Sequence, residues 1–413
     1  MLAVALTAAS ALVVPMPVRL QPAHVPLARL GFPAMQAPAA AYSPAKEVSA
    51  RGGKYYEGRT PEMSKAIKQA LKEVGTRKIC VVTGASSGLG LSCVQSLLRD
   101  YEGYYVIAAV RDPEKMDQEA AKLGIDPKDY QAMKLECASL QSVKDFVQDL
   151  KKVLPRGRGL DRLVCNAAVY LPTDPKPRFT DDGYEMSFGV NHLSHFLLLQ
   201  LLIPELKKAK DPRVCIVGSV TGNKNTIAGS LVKPIADVGD FSGLRTGPGA
   251  VMVDGSSQFD GAKAYKDAKA LNMMTVLEAH RRLHKDTGII FNSMYPGCIA
   301  QTQLFREKRD WFRYFFFPTL MKAIGSYVSQ PEAGQRLAQV IADPIAAKSG
   351  VYWSWNGDAK YFGVGNAGGA GGEIFENDFS GMVQDEGNGK LCWDLSLKLV
   401  KPYLQENIWD LFQ

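Results

Sequence analysis

The sequence lacks any long hydrophobic run. Hydrophobic residues make up 46% of the 413 residues, yet no 18 consecutive residues are apolar, and a membrane-spanning helix needs about 20. We therefore expect any membrane contact to be peripheral. A dense basic block is also missing, although the net charge is +7, so the sequence does not favour nucleic acid as a partner.

Cysteine is present only in a scattered pattern. The seven cysteines are an odd number and none of them forms a CxxC pair. This pattern argues against both a disulfide framework and a zinc site. We expect reduced thiols and no bound metal.

The first 46 residues contain neither Asp nor Glu. An apolar opening, LAVALTAASALVV, is followed by a stretch that carries Arg19, His24 and Arg29. The first feature is typical of a secretory signal and the second of an organelle transit peptide. Together they predict a two-part plastid presequence over 1–46, followed by an N-terminal extension over 47–77. A disordered N-terminus without a targeting role is the alternative.

From residue 78 onward, apolar strand-like runs alternate with helix-like periods. The strand-like runs are KICVVTG, YYVIAAV, DRLVCNAA, RVCIVGS and IIFNSMYPG. Such alternation is typical of parallel strands with crossover helices. It predicts an α/β fold with a doubly wound, mostly parallel, Rossmann-like sheet, in a single domain over 78–413.

Two segments interrupt this alternation. Residues 223–262 are rich in Gly, Ser, Asp and Pro, and residues 357–390 are rich in Gly. Loops of this length in a compact domain are functional covers or are disordered. We expect an active-site insertion over 223–262 and a flexible Gly-rich loop over 357–390.

The first strand leads directly into TGASSGLG, which places three glycines before an amphipathic helix. Glycine lets the backbone approach a pyrophosphate, and a helix N-terminus offers free N–H groups. The candidate cofactor-binding residues of this turn are Gly84, Ser86, Ser87, Gly88, Leu89 and Gly90.

Two later strand ends carry further candidates for cofactor binding. Arg111 stands where an NAD-specific site has an acidic residue, so it favours the 2′-phosphate of NADPH; a solvated strand-end arginine is the alternative. Asn166 follows a later strand and is a candidate contact near the adenine ribose.

Tyr265 and Lys269 are four positions apart, which places them on one face of a helix. An ammonium one turn away and the cation of a nicotinamide cofactor would both favour the phenolate, so we expect them to lower the pKa of the tyrosine. The spacing alone does not decide the matter, because Tyr130 and Lys134 repeat it. No glycine turn or serine accompanies that second pair, so we interpret it as chance.

In this order, the motifs TGASSGLG, CNAA, VNHLSHF, VGSVTG and YKDAK resemble the short-chain dehydrogenase/reductase superfamily over about residues 78–300. The resemblance implies a catalytic tetrad of Asn191, Ser219, Tyr265 and Lys269, with Lys269 and Tyr265 also contacting the nicotinamide side of the cofactor. Ser219 and Tyr265 are 46 positions apart, more than is usual in that superfamily. The insertion accounts for the difference and is expected to lie beside the active site.

A narrower resemblance, to light-dependent protochlorophyllide oxidoreductases, rests on the insertion, HRRLHKDTGI, YPGCIAQTQLFRE and KSGVYWSW. It implies light-driven reduction of the C17=C18 double bond of protochlorophyllide by NADPH. Tyr265 is the implied proton donor, with water or Cys298 as alternatives, and Tyr295 and Cys298 are the implied pigment contacts. The run WFRYFFFP at 311–318 is an apolar wall, a membrane-facing patch or ordinary core.

Three positions depart from that family's pattern. Ala268 and Leu271 replace a serine and a cysteine around Lys269, which puts a role for a second thiol in doubt. Glu136 stands where the superfamily has Asp, so it would have to contact the adenine.

The resemblance also implies a plastid protein on the stromal side of thylakoid or inner membranes. A homo-oligomer is compatible with the sequence. A dark-operating NADP-dependent dehydrogenase of lipophilic carbonyls and a non-catalytic pigment- or NADPH-binding protein remain the alternatives.

Overall fold

The chain folds around one eight-stranded sheet. The computed structural model describes residues 72–299, 318, 319, 322, 327–356 and 369–404. The strand order is β3-β2-β1-β4-β5-β6-β7-β8. The strands are β1 Lys78–Thr83, β2 Tyr104–Val110, β3 Tyr130–Lys134, β4 Arg162–Cys165, β5 Arg213–Val217, β6 Ile290–Met294, β7 Val351–Trp355 and β8 Ile374–Asn377.

Strands β1 to β7 are parallel, and β8 runs antiparallel to β7. Every residue of β2, β4, β5, β6 and β7 is buried, as expected for strands covered on both faces. The predicted doubly wound, mostly parallel sheet is confirmed, and so are all five strands that the apolar runs indicate.

Helices cover both faces of the sheet. They are α1 Gly88–Asp100, α2 Pro113–Lys122, α3 Leu140–Val153, α4 Met186–Leu206, α5 Ile227–Leu231, α6 Ser242–Thr246, α7 Gly261–Ala279, α8 Gln330–Ala342, α9 Gly381–Gln384 and α10 Glu386–Val400. Helices α1, α2 and α8 contribute to the core on one face. Helices α3, α4, α7 and α10 contribute to the core on the other face.

Helix α4 is largely apolar and is buried on nearly all sides. By length and composition it could cross a membrane, but 94% of its most apolar window is buried inside the protein. Its neighbours are α3 on one side and α7 and α10 on the others. A helix that is hydrophobic all round is expected in such a position, so α4 has the character of a core helix.

Residues 374–390 of the Gly-rich range differ from the expected flexible loop, whereas residues 357–368 lie outside the described residues. Residues 374–377 form the edge strand β8, residues 381–384 form α9, and α10 begins at Glu386. Pairing with β7 orders this segment despite its composition, because the backbone hydrogen bonds of an edge strand do not depend on its side chains.

Three strands were not indicated by the sequence, namely β3, β7 and β8. Tyr130 and Lys134 lie on β3, where Tyr130 Oη donates to Asp117 Oδ1 at 2.9 Å. The second Tyr/Lys spacing therefore lies on a strand, which supports its interpretation as chance.

The insertion 223–262 is built into the domain. It contains α5 and α6 and ends at the first turn of α7. The side chains of Asn223 and Asn225 donate to the backbone carbonyls of Asp378 and Phe379, both at 2.7 Å. The presequence at 1–46, the extension up to 71 and the aromatic run 311–317 lie outside the described residues.

Candidate active site

The candidate site residues follow the carboxyl ends of five adjacent parallel strands. Gly84 follows β1, Arg111 follows β2, Asn166 follows β4, Ser219 stands two residues after β5 and Tyr295 follows β6. The carboxyl ends of parallel strands meet at one edge of the sheet, where ligands bind in open α/β folds. The sheet therefore assembles the residues that the sequence had separated by more than 200 positions.

The glycines of the first turn are needed by its geometry. Gly84 and Gly88 have φ values of 66° and 55°, which side chains other than glycine rarely adopt. A Cβ on Gly90 would lie 2.4 Å from the carbonyl oxygen of Gly84 and 2.6 Å from Nδ2 of Asn166. The G-x3-G-x-G spacing thus records two left-handed backbone positions and one close approach.

Helix α1 begins without a side-chain cap. Ser87, at its N-cap, makes no capping hydrogen bond. Helices α2, α3, α7 and α8 are all capped, by Asp112, Ser139, Asp260 and Ser329 in turn. The first N–H groups of α1 are therefore not bonded to an N-cap side chain, unlike those of the other four helices. A pyrophosphate suits that position because it accepts hydrogen bonds from N–H groups and its negative charge interacts favourably with the helix dipole.

Asn166 braces this turn from the neighbouring strand. Its Nδ2 donates to the carbonyl oxygen of Thr83 at 2.8 Å, and its backbone N–H donates to Thr83 Oγ1 at 2.9 Å. Asn166 therefore fixes the position of Thr83, the residue that precedes the glycine turn. Its expected contact near the adenine ribose stays a prediction.

Arg111 points into solvent at the end of β2. Its side chain is 75% exposed, and Nε lies 4.0 Å from Glu136 Oε2. The other carboxylate oxygen of Glu136 accepts the N–H of Ala138 at 3.1 Å. Such a loosely held guanidinium is well placed to pair with a phosphate.

Tyr265 and Lys269 lie in the N-terminal half of α7. Asp260 caps this helix by accepting the N–H groups of Ala262 and Lys263, both at 2.9 Å. Lys269 Nζ donates to the carbonyl oxygen of Val217 at 2.7 Å and lies 5.8 Å from the ring centroid of Tyr265. Since Val217 is the last residue of β5, the pair faces the carboxyl edge of the sheet.

Burial determines the protonation of this pair. It raises the pKa of Tyr265, with Tyr170 adding to the effect and a hydrogen bond from Ser219 opposing it. Burial also lowers the pKa of Lys269 to about 8. For the protein's own groups the direction is therefore opposite to the lowering expected with a nicotinamide cation present, because desolvation has the largest effect on the pKa of Tyr265. The phenol stays protonated at neutral pH, as a proton donor requires.

Ser219 stands beside this phenol at the start of a short 3-10 turn. Its Oγ accepts the N–H of Thr221 at 3.2 Å and lies 2.9 Å from Thr221 Oγ1. Because it caps the turn Val220–Gly222, its hydroxyl is held in place rather than free to rotate. It is thus able to orient the Tyr265 hydroxyl.

Asn191 lies in a π-helical turn, Gly189–Leu193, within α4. Its side chain accepts from the N–H of Val169 at 2.7 Å and donates to the carbonyl oxygen of Val169 at 2.9 Å. Its own carbonyl oxygen accepts from Asn272 Nδ2 at 2.9 Å and from His195 Nδ1 at 3.1 Å. Asn191 thus acts here through the backbone of Val169, and its place in a catalytic tetrad stays a prediction.

Tyr170, which directly follows Val169, was not indicated by the sequence. Its ring centroid lies 4.9 Å from that of Tyr265, with the two planes at 57°. Its position five residues after β4, at the edge where the other candidates converge, is a signal that could have found it. Asn191 therefore positions an aromatic neighbour of the proposed acid.

Tyr295 and Cys298 lie on the loop after β6. Gly297 between them has a φ of 117°, and a Cβ there would lie 2.5 Å from a methyl group of Val328. Burial raises the pKa of Cys298 to about 12 and that of Tyr295 well above its ordinary value. Cys298 also contributes to the raised pKa values of Tyr295 and Tyr265. Tyr265 is buried and the other two groups are partly exposed, and all three are protonated at neutral pH.

Comparisons with known proteins agree with this arrangement. The family model for short chain dehydrogenases matches residues 78–231. Protochlorophyllide reductase A of Oryza sativa subsp. japonica is 48% identical over 328 residues, which cover 78% of this chain and 80% of that protein. The protochlorophyllide reductase of Chlamydomonas reinhardtii is 48% identical over 328 residues, with 78% of each chain covered.

The protochlorophyllide reductase of Avena sativa is 47% identical over 329 residues, which cover 78% of this chain and 99% of that protein. Matches of this identity extend over most of both chains. The chain belongs to the protochlorophyllide reductase family of short-chain dehydrogenases.

Proposed function

We propose that this chain reduces the C17=C18 double bond of protochlorophyllide to give chlorophyllide, with NADPH as the reductant and light as the trigger. The observation that supports it best is the meeting of the glycine turn and the buried Tyr265/Lys269 pair at one sheet edge, in a chain 48% identical to protochlorophyllide reductases.

The residues present fit NADPH. The glycine turn and the uncapped N-terminus of α1 would hold the pyrophosphate, Arg111 the 2′-phosphate, and Lys269 the nicotinamide ribose. When bound, NADPH supplies the hydride. The protein's part is to fix the orientation of both reactants in a site without water.

Tyr265 is the proposed proton donor to C18. Its proton is held at Oη because burial raises the pKa. Ser219 orients the hydroxyl, and the ring of Tyr170 packs against that of Tyr265. Cys298, also protonated, is the second candidate for this proton, and the two are separated by the Tyr265→Phe variant described below.

Light dependence follows from the chemistry of the proposed substrate. A ring double bond conjugated into a tetrapyrrole is not polarised like a ketone, so its ground state offers a hydride little to attack. Excitation raises the energy of the substrate, and the protein contributes positioning and exclusion of water. The insertion, which begins four residues after Ser219 and ends three before Tyr265, supplies the cover.

The related reductases of Oryza and Chlamydomonas are named chloroplastic, and a plastid is the location that we assign to this chain. We infer that residues 1–46 are its presequence and that the mature protein associates peripherally with thylakoid or inner membranes on the stromal side. Fusing residues 1–46 to a fluorescent protein tests the first inference, since cytosolic fluorescence would contradict it.

The activity is tested by mixing the purified chain with NADPH and protochlorophyllide in darkness, applying a single flash and following the red absorbance band. Formation of chlorophyllide only after the flash is expected. Conversion in darkness would favour a conventional dehydrogenase, and binding without conversion would favour a pigment carrier.

A further inference from the structure

Three charged side chains of α7 turn toward the insertion instead of the cofactor. They are Lys263, Lys266 and Asp267, which we name the insertion clasp. We propose that the insertion clasp positions the insertion against the helix that carries Tyr265 and thereby sets the pigment side of the site. This inference rests on the proposed function, because it assigns the insertion to the pigment.

The ion pair of the clasp grips the insertion at two places. Lys263 Nζ lies 2.6 Å from Asp267 Oδ2 and 3.0 Å from Asp254 Oδ2, and it also donates to the carbonyl oxygen of Asp237 at 2.5 Å. Asp267 Oδ1 accepts the N–H of Asp237 at 2.8 Å. The pair therefore binds both backbone polar groups of one insertion residue and the side chain of another.

Lys266 grips a third place. Its Nζ donates to the carbonyl oxygens of Val232 and Pro234, at 2.7 and 2.6 Å. The residue is 4% exposed, so its ammonium has exchanged water for these two carbonyls. A lysine is not commonly buried in this way without a carboxylate, and the two bonds explain why the charge is kept there.

Folding removes the charged groups of the clasp from water, which costs free energy. Burial raises the pKa of Asp267 to about 7, against the opposing effect of Lys263, and lowers the pKa of Lys266 to about 8. Apolar residues of similar volume would serve stability as well or better. What they would not supply is a fixed register between the insertion backbone and α7, which these directional bonds do.

The clasp residues alternate with the proposed catalytic residues along α7. Lys263, Lys266 and Asp267 are each within three positions of Tyr265 or Lys269, which is about 5 Å along a helix axis. A helix of this length moves as one body. Any shift of the insertion relative to the phenol must therefore break clasp bonds.

The test compares Lys266→Met with Lys390→Met. Lys390 pairs with Asp394 at 2.6 Å on the exposed side of α10, so the control removes a lysine bond that touches no insertion residue. In Lys266→Met we expect amide hydrogen exchange over 232–254 to accelerate and the Kd of protochlorophyllide in darkness to rise, both about tenfold, the size expected from losing bonds to a charged donor. The Kd of NADPH and all values for Lys390→Met should stay within about twofold.

Two further variants of the clasp separate positioning from simple stability. Lys263→Arg keeps the charge and should restore most of the affinity for protochlorophyllide, measured as the Kd in darkness, that Lys263→Met loses. If Lys266→Met does not fold, Lys266→Gln, which keeps a donor, must show a smaller change of the same sign.

Unchanged exchange over 232–254 would overturn the proposal, and so would faster exchange with unaltered pigment affinity. Exchange and pigment binding in darkness need no turnover, so a chain without reductase activity would reject the proposed function while these two measurements still decide the role of the clasp.

Discussion

The two sides of the site are built by different physical means. On the cofactor side, the glycine turn and the N-terminus of α1 present backbone groups, and every residue of the neighbouring strand β2 is buried. On the pigment side, buried ions such as Asp267 and Arg336 hold loops through their backbone carbonyls and N–H groups. The cofactor side is thus fixed by chain geometry, and the pigment side by charged side chains that reach across the sequence.

This difference bears on how each side responds to change. A tight backbone turn is disrupted when a side chain is added to it, whereas a buried ion network is disrupted when one of its charged side chains is removed. Substitutions of opposite kinds therefore break the two sides, and each should leave the other in place. The phenol of Tyr265 stands at the junction, so its loss affects the chemistry and neither side's architecture.

The largest effect is expected from Tyr265→Phe. Removing a proton donor lowers turnover by about a hundredfold or more, while NADPH and pigment binding persist. Turnover after single flashes, with NADPH affinity measured in parallel, checks this. Near-normal turnover would assign the proton to Cys298 or water, and Cys298→Ser then becomes the informative variant.

The next effect concerns the loop after β6, which carries Tyr295 and Cys298 on the pigment side. Arg336 Nη2 donates to the carbonyl oxygens of Gly369 and Gly371, at 2.8 and 2.9 Å, and Nη1 donates to that of Pro296 at 3.3 Å. Arg336→Met leaves these carbonyls unpaired and should lower the free energy of unfolding by about 3 kcal/mol.

Urea unfolding measures the effect of Arg336→Met, and Lys348→Met is its control. Lys348 makes an exposed ion pair with Glu376, so its loss should change the free energy of unfolding by about 0.5 kcal/mol or less. Equal losses of unfolding free energy in the two variants would contradict the claim that the buried ion contributes more to stability than the exposed one.

On the cofactor side, Gly90→Ala is expected to destabilise the fold by about 1–3 kcal/mol and to weaken NADPH binding. The added Cβ would lie 2.4 Å from the carbonyl oxygen of Gly84, so the turn must move. Gly381→Ala is the matched control, because no atom lies within 4 Å of its added Cβ. Fluorescence titration with NADPH reports the outcome, and an unchanged Kd in Gly90→Ala would contradict the role of the turn.

A smaller effect, on cofactor choice, is expected from Arg111→Ala. Loss of one exposed guanidinium–phosphate contact should weaken NADPH binding about tenfold, because Glu136 at 4.0 Å is the ion-pair partner of this side chain among the described residues. NADH lacks the 2′-phosphate and should bind as before. An equal loss for both cofactors would rule out the assigned contact.

The smallest effect is a pH dependence. Burial lowers the pKa of Lys269 to about 8, so its ammonium loses its proton near pH 8 instead of near the ordinary 10.5. The value of kcat/KM for NADPH, which reports the free enzyme, should fall as the pH rises through about 8. Tyr265 does not contribute, since its pKa is raised.

Lys269→Arg should abolish that decline, because a guanidinium keeps its charge. The profile is measured from about pH 6 to about pH 10, which brackets the lowered lysine pKa. A wild-type profile that stays flat, or a decline that persists in Lys269→Arg, would contradict the assignment to Lys269.

The sequence predicts the glycine turn and the first strands of the sheet well because their signals are local. Glycine spacing reports φ values directly, and fully apolar runs report strands buried on both faces. Strands β3 and β8 were not predicted because YQAMK and IFEN are short and partly polar. A strand at the edge of a sheet can form its backbone hydrogen bonds without an apolar sequence pattern.

The pigment side was less predictable because its partners are distant in sequence. Asp267 bonds to Asp237, thirty positions earlier, and Arg336 bonds to Pro296, forty positions earlier. No residue pattern marks such pairs. The raised pKa of Tyr265 was missed for a related reason, since the depth of its burial is a property of the whole fold.

The contrast between the two sides is tested most directly by crossing their variants. The Kd values of NADPH and of protochlorophyllide are measured in darkness for Gly90→Ala and Lys266→Met. We expect Gly90→Ala to weaken NADPH about tenfold with pigment within about twofold, and Lys266→Met to do the reverse. Equal weakening of both ligands by either variant would contradict the account of a backbone-built cofactor side and an ion-held pigment side.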